Sequence, residues 1–337
     1  MVNGIEYYLK KNEEKLFSYK IGEEEEKLAE KYGVLSYMVD RYLNFLGSKT
    51  EDFLSSCSVP LKQVVRCNTL KTDCDKLVDL LSERKFSLSK IGWSKFGYEV
   101  KKSPERPSLG ATLEYMKGFY YIQGKASLIP PEVLSPSEED IVLDMASSPG
   151  GKTTHMAQLM KNRGLIIGLE KNQRRIQKIK SNLSRLGVAN TILFQMNGED
   201  VLRLGLSFDK ILLDAPCSGE GLMPLDPLRK TRTQPEDLKK FLKTQLELLV
   251  SAYKALKRGG RLVYSTCSVA PEEDEFVVNF VVKYMNAKIE RISGFPAERG
   301  LTVYKGIEFE REIEDCIRTY PHSNGMEGFF VCSIRKE

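Results

Sequence analysis

Residues Asp144 to Thr154, Asp-Met-Ala-Ser-Ser-Pro-Gly-Gly-Lys-Thr-Thr, constrain this chain more than any other stretch. An apolar run, Ile141 to Leu143, reads as a strand ending at Asp144. Small residues and a Pro-Gly-Gly turn follow, and a helix is expected from Thr153. A strand, a Gly-rich turn and a helix start form a nucleotide-type site. Glycines let the backbone approach a ligand, and the unpaired amides of a helix's first turn bind its polar atoms.

Three loops compete for this spacing. A phosphate-binding Walker loop needs Gly five positions before Gly-Lys-Thr, where Ala146 stands. A dinucleotide fingerprint needs Gly-x-Gly-x-x-Gly, which is absent. The third is the S-adenosylmethionine (SAM) loop of Rossmann-like methyltransferases. The downstream sequence decides.

From residue 141 onward, strand patterns at 141–144, 165–170, 191–196, 208–214 and 260–266 alternate with helix patterns at 152–162, 172–186, 236–257 and 272–285. That alternation predicts a mostly parallel sheet covered by helices, with its chemistry beyond the C-terminal strand ends. Residues 1–55 read as helical. Leu28, Tyr32, Leu35, Val39, Tyr42 and Leu46 recur at spacings of three and four. Residues 57–110 read as a small α/β module of ferredoxin-like type, with Val64 to Asn68 and Tyr98 to Lys101 strand-like and Cys74 to Glu83 helical. Ser103 to Ser108, with two prolines, reads as a linker. The expected division is thus 1–56 helical, 57–110 small module and 111–337 catalytic domain.

Charge is uneven. Residues 56–106 hold 11 Lys/Arg against 6 Asp/Glu, within a chain of net charge +5. A basic segment suits a polyanion, although a solvated face explains it equally well. Arg66, Lys71, Arg84, Lys85, Lys101 and Lys102 are the candidate phosphate contacts. Trp93 could stack on a base, but a packing role is the simpler expectation. No apolar run reaches the ~18 residues of a membrane span. The first residues do not read as a signal peptide, so a cytoplasmic protein is expected. The seven cysteines include no Cys-x-x-Cys pair, and only His155 and His322 accompany them, so no metal site is expected. The odd count argues against a disulfide framework.

The strand ends carry the candidate chemistry. Glu170 can accept both hydroxyls of a ribose. Asn197 or Asp200 can meet an adenine, and turn chemistry explains both as well. Two further ends, which should be neighbours, continue as Asp214-Ala215-Pro216-Cys217-Ser218-Gly219 and Ser265-Thr266-Cys267-Ser268. A lone cysteine is usually a buried hydrophobe. Two at adjacent ligand-facing ends, beside an acid, suit covalent attack on an electron-poor pyrimidine.

These elements carry a resemblance. The chain resembles the Sun (Nol/Nop/Sun) family of RNA cytosine-5 methyltransferases over about residues 25–337. Arg66-Cys67-Asn68-Thr69-Leu70-Lys71 resembles the family's Arg-x-Asn-Thr-Leu-Lys motif, and Gly118, Gln123, Gly124 and Ser127 resemble its Gln-containing segment. Pro149-Gly150-Gly151-Lys152-Thr153 matches the SAM loop, and Arg318 to Phe330 resembles the C-terminal motif. The two-cysteine pair is the most specific element.

The resemblance implies an α/β, Rossmann-like SAM methyltransferase sheet with an N-terminal helical and ferredoxin-like (RNA-recognition-like) extension. It implies that Ala146, Ser147, Ser148, Pro149, Gly150, Gly151 and Lys152 line the SAM site, with Glu170, Arg175 and Asn197 around its nucleoside. Asp214 is implied at both cofactor and cytosine, positioned with Lys152, with Cys267 as nucleophile and Cys217 aiding product release. Ser147-Ser148 replaces a commoner Ala-Ala, Asn197 a commoner Asp, and Glu170 a commoner Asp. The expected substrate is RNA, tRNA before rRNA, and the expected state is a monomer needing no protein partner. No substantial addition is expected after the catalytic domain. Competing readings are methylation of DNA or protein, and a non-catalytic RNA-binding scaffold. Intact Cys217, Cys267, Asp214 and Lys152 oppose the scaffold.

Overall fold

A computed structural model describes residues 2–337. Four helices come first: α1 (Val2–Leu16), α2 (Glu23–Tyr32), α3 (Ser36–Leu46) and α4 (Thr50–Ser56). The apolar stripe expected over 28–46 is divided between α2 and α3. Gly33 ends α2 in the left-handed conformation (φ 67°), and Leu35 sits extended before α3. The next stretch is β1 (Val64–Cys67), α5 (Cys74–Glu83), β2 (Ser87–Lys90), β3 (Gly97–Lys102), α6 (Leu113–Met116) and β4 (Tyr120–Gln123). Then follow α7 (Ile129–Leu134), β5 (Ile141–Asp144), α8 (Gly151–Leu159), β6 (Leu165–Glu170), α9 (Gln173–Leu186), β7 (Thr191–Gln195) and β8 (Phe208–Asp214). The chain continues as α10 (Arg229–Arg232), α11 (Pro235–Ala255), β9 (Leu256–Thr266), α12 (Glu275–Met285) and β10 (Lys288–Glu290). It finishes with β11 (Glu298–Arg299), β12 (Val303–Tyr304), β13 (Ile307–Glu308), β14 (Ile317–Thr319), α13 (Pro321–Asn324) and β15 (Phe329–Arg335). No helix among the described residues is long and apolar enough to cross a membrane.

Contacts divide the chain into two compact units. One holds residues 62–214 and 254–263; the other holds the chain up to 61, 215–253 and 264–337. In the first of these, β1 to β4 form an antiparallel sheet in the order β2-β3-β1-β4. Its β-α-β-β-α-β sequence is the ferredoxin-like arrangement. The fourth strand lies beyond residue 110, where the module was expected to end. The proline-rich stretch 103–108 therefore lies inside the module, between β3 and α6, and is not a linker. Val65, Leu77, Leu81, Phe86, Val100 and Tyr120 form its core. Trp93 packs on Val64, Ile91 and Leu128, as the packing expectation holds.

The same unit carries β7-β6-β5-β8 and β9 as far as Val263, with β5, β6, β7 and β8 parallel. In chain order this is 3-2-1-4-5, so the direction of strand addition reverses between β5 and β8. Such a switch point leaves a crevice beyond the strand ends. Asp144 and Asp214 are the last residues of the two strands. Val142, Leu143, Ile211 and Leu212 are fully buried, as parallel strands covered on both faces require.

In the other unit, α2 to α4 pack on Met223, Leu238, Val269, Ala270 and Tyr320 through Met38, Val39, Tyr42, Phe53 and Leu54. Strands β11, β14 and β15 are antiparallel neighbours there, and β10 adds to β15.

Two disulfides contradict the reading of the cysteine count. Cys67 at the end of β1 is bonded to Cys74 at the start of α5, and Cys316 to Cys332. Parity is silent about position: β14 and β15 pair antiparallel, which holds the second pair's Cα atoms 4.5 Å apart. Cys57, Cys217 and Cys267 stand outside both bridges.

Two expectations follow. Gly118 has φ +77°, and a Cβ there would lie 1.9 Å from the Arg185 carbonyl oxygen. The Gly118 carbonyl also accepts the Asn68 side-chain amide at 2.8 Å, which in turn reaches the Leu186 carbonyl. Gly118→Ala should cost about 1–3 kcal/mol or more, read from the denaturant midpoint. An unchanged midpoint would contradict the close approach.

The second concerns Asp144. Burial pushes its carboxyl up to about 6, with the Asp214 charge adding to the rise and the Thr153 hydroxyl opposing it. The folded chain therefore holds this proton more tightly than the unfolded chain. The group favours folding below pH ~4, and that contribution is lost as pH rises through about 6. Against Asp144→Asn, the native chain should lose roughly 3 kcal/mol from well below pH 4 to well above pH 6. A pH-independent difference between the two proteins would refute it.

Candidate active site

The turn after β5 builds one wall. Gly150 adopts φ +103°, a conformation only glycine holds without strain, and it delivers the chain into α8. A Cβ on Gly151 would lie 2.9 Å from the Tyr121 ring. Ser147 is fixed to the Leu169 carbonyl by its amide (3.1 Å) and its hydroxyl (3.0 Å). Asp144 receives the Thr153 hydroxyl at 2.7 Å. The turn, together with Tyr121, Gln123, Gly124, Ser127, Lys152 and Asp214, lines a cavity at the switch point. It joins small residues, a helix start and acidic strand ends. That fits an aminoacid-nucleoside such as SAM: Gly150 supplies the positive φ of the turn, and the missing side chain of Gly151 leaves the room beside Tyr121 that a Cβ would take.

Lys152 donates to Asp214 at 2.6 Å and lies 3.3 Å from the Ser127 hydroxyl. Glu170 at the end of β6 is nearly buried; it accepts the Asn172 amide at 2.8 Å and pairs with Arg175 at 3.3 Å. Arg175 also reaches the Ser148 hydroxyl at 3.1 Å, which ties the β5 turn to the β6 end. Asn197 and Asp200 line a second depression with Lys171, Gln195, Met196 and Arg203. Asp200 is 3.2 Å from Arg203.

The thiols lie in the other unit. Two backbone bonds tie their loops together: Ala215 N–H to the Ser265 carbonyl (2.8 Å) and Gly221 N–H to the Cys267 carbonyl (3.0 Å). Cys217 and Cys267 Sγ are thereby 3.3 Å apart, and both residues are partly exposed.

The basic set divides. Lys71, Lys85, Lys101 and Lys102 are exposed. Arg84 is half-buried in a two-pronged pair with Glu114 (2.6 and 3.0 Å). Arg66, expected at the RNA surface, is wholly buried. Its guanidinium donates to the Gly151 carbonyl (2.7 Å), the Thr154 hydroxyl (2.8 Å) and Gln123 (3.2 Å). Burial lowers its proton affinity to about 9. It braces the Gly-rich turn from behind, because β1 runs through the middle of its sheet and turns this side chain inward. Charge counting cannot distinguish a buried arginine from an exposed one.

Sequence reasoning missed a larger feature. Glu220, Glu272, Glu273, Asp274 and Glu275 are all fully buried around the thiol loops. Arg41 of α3 pairs with Glu220, and Arg318 donates to Glu275 (2.6 Å), Asp274 (3.3 Å) and the Val269 carbonyl (2.6 Å). Burial holds the carboxyls of Glu272 and Glu273 above the ordinary range. Four acids in a row normally mark a solvated face; here only the buried arginines, distant in sequence, reveal otherwise.

Comparison with known proteins accords with this geometry. A family model for the 16S rRNA methyltransferase RsmB/F matches residues 131–335, and one for the N-terminal domain of 16S rRNA methyltransferase RsmF matches residues 36–125. The chain is 38% identical over 315 residues to the 28S rRNA (cytosine-C(5))-methyltransferase of Mus musculus, covering 92% of this chain and 40% of that protein. It is 36% identical over 302 residues to the tRNA (cytosine(49)-C(5))-methyltransferase of Pyrococcus abyssi, covering 89% and 95% respectively. A crystal structure of a methyltransferase homologue from Pyrococcus horikoshii superposes with a TM-score of 0.86 at 36% identity, covering 94% of this chain and all of that one. The chain spans about half the length of the curated rRNA methyltransferases it matches. By the matched model and by these relatives, the chain belongs to the Sun family of rRNA and tRNA cytosine-C5 methyltransferases.

Proposed function

We propose that this protein methylates carbon 5 of a cytosine in RNA through a covalent cysteine–cytosine intermediate. The observation that carries the reading is the pair of thiols 3.3 Å apart on loops that follow β8 and β9. SAM, when bound in the cradle of Ala146 to Lys152, supplies a methyl cation equivalent. The chain's own residues prepare the base to receive it. Cys267 adds as thiolate to carbon 6, which makes carbon 5 enamine-like and nucleophilic. Asp214, three residues before Cys217 and 2.6 Å from Lys152, acts as the acid that hydrogen-bonds ring nitrogen 3, where the addition of the thiolate places charge. Loss of the carbon 5 proton after transfer breaks the carbon–sulfur bond and returns Cys267. Cys217 assists that elimination. A base within folded RNA must leave its stack to reach these groups.

Around the cofactor, Glu170 is assigned to the ribose, with Arg175 orienting it, and Asn197 or Asp200 to the adenine. A tRNA is the favoured substrate over rRNA, supported by the near-full-length match to the Pyrococcus abyssi tRNA enzyme. The protein acts as a cytoplasmic monomer and needs no protein partner. Methylation of DNA or protein, and a non-catalytic scaffold role, are the alternatives that label transfer from SAM to each substrate distinguishes.

Two experiments test this. Cys267→Ala should abolish both methylation and covalent capture of RNA. Cys217→Ala should still attack but release slowly, leaving a protein–RNA adduct that survives denaturing electrophoresis. The reverse pattern would exchange the two roles. For docking, joint neutralisation of Lys71, Lys85, Lys101 and Lys102 should flatten the salt dependence of RNA binding by up to four phosphate contacts, roughly 0.7–0.9 in slope for each. SAM affinity should hold. An unaltered slope removes this face from the interface.

A further inference from the structure

The thiol loops need something to hold their sulfurs in register. Backbone pairing fixes their ends, but each cysteine is also flanked by hydroxyl residues: Ser218 follows Cys217, and Ser268 follows Cys267. Both serines point at the same carboxylate. Glu273 Oε2 accepts the Ser218 hydroxyl at 2.5 Å and the Ser268 hydroxyl at 2.6 Å. Its Oε1 accepts the Ser218 amide at 2.9 Å and the Gln245 side-chain amide at 3.0 Å. Gln245 also donates to the carbonyl of Pro216, the residue before Cys217, at 2.9 Å. Glu273, Ser218, Ser268 and Gln245 are all buried.

We infer that Glu273 is a positioning residue for the thiol pair: one buried carboxylate clamps the residues that follow Cys217 and Cys267 and so sets the distance between their sulfurs. A carboxylate has about four acceptor sites in a plane, and here four donors fill them. Two of the donors belong to one loop's Ser218, one to the other loop's Ser268, and one to the glutamine that steadies Pro216. Any drift of one loop against the other breaks a bond to Glu273. The two serine hydroxyls are themselves 3.2 Å apart, so the clamp closes in a triangle. The neighbouring acid acts on one loop alone: Asp274 accepts the Thr266 hydroxyl at 2.5 Å.

This role rests on the proposed catalytic use of the pair, but its geometry can be tested without RNA. With diamide as oxidant, Cys217 and Cys267 lose two electrons and two protons and form a disulfide, while diamide is reduced to the hydrazine. The rate of that cross-link, followed by mass spectrometry of the linked peptides, reports how well the sulfurs are aligned. Glu273→Ala should slow it about 10-fold or more, since an ångström of misplacement costs reactions of this kind one to two orders of magnitude. Glu273→Gln should restore most of the rate, because its amide oxygen still accepts and its NH2 can donate to the serine oxygens. SAM affinity should stay at the native value in both, and kcat for RNA should fall in Glu273→Ala with the SAM KM unchanged. Cross-linking at the native rate in Glu273→Ala, or a slowing matched by loss of SAM binding, would overturn the assignment. If Glu273→Ala does not fold, the Ser218→Ala/Ser268→Ala pair removes the same hydroxyl contacts and gives the same reading. Absence of RNA methylation by the native protein would overturn the proposed function while leaving the cross-linking result to stand or fall separately.

Discussion

Burial of charge dominates the unit that carries the thiols. Five acids have no solvent exposure there. A single carboxylate moved from water to a low-dielectric interior costs several kcal/mol even after relaxation, and it is tolerated only where countercharges and hydrogen bonds meet it. Arg41 and Arg318 supply the first; Ser218, Ser268, Thr266, Gln245 and Tyr304 supply the second. The helices of the first 56 residues are therefore part of the same construction as the thiol loops. Arg41 is the link, since without α3 the Glu220 carboxylate would lose its cation.

The other unit solves a related problem with one residue. Arg66 is a buried cation with no carboxylate among its hydrogen-bond partners in the described residues. It spends its donors on the Gly151 carbonyl, Thr154 and Gln123, and its guanidinium lies 5.4 Å from the Tyr121 ring centre. A glycine turn is permissive and so needs outside support to hold one shape. The ferredoxin-like sheet supplies that support through β1, and so it contributes to the cofactor wall as well as to any RNA surface.

Much of this was legible in the sequence. Strands β5, β6 and β8 and helix α5 fall where hydrophobic patterning puts them, since parallel strands buried on both faces and an amphipathic helix leave strong local signals. For the same reason Asp214, Cys217 and Cys267 stand at or just after the ends of β8 and β9, where the pattern puts strand ends. The failures have one cause: the information was not local. Glu272 to Glu275 look solvated until Arg41 and Arg318, more than 40 residues away in sequence or at the opposite end of it, are brought in. Arg66 looks exposed until β3 and β4 flank β1 on both sides. The break between α2 and α3 was signalled by Gly33, but the apolar spacing ran on across it. The disulfides depended on pairing of β14 with β15 and on how β1 meets α5, which a count of cysteines does not contain.

The division of the chain has a consequence for its biosynthesis. The unit holding both thiols is assembled from three separate segments, the last beginning at residue 264. Its companion draws its last residues from 254–263. A ribosome therefore releases every residue of the Gly-rich turn, its bracing arginine and the parallel strands before Cys267, Glu273 or Arg318 exists. Through that interval Arg41 and Glu220 are already made, while Cys217 waits without its opposite loop. The residues of the cradle are thus all made before the second thiol, whereas the last segment of their own unit, 254–263, ends only four residues before Cys267.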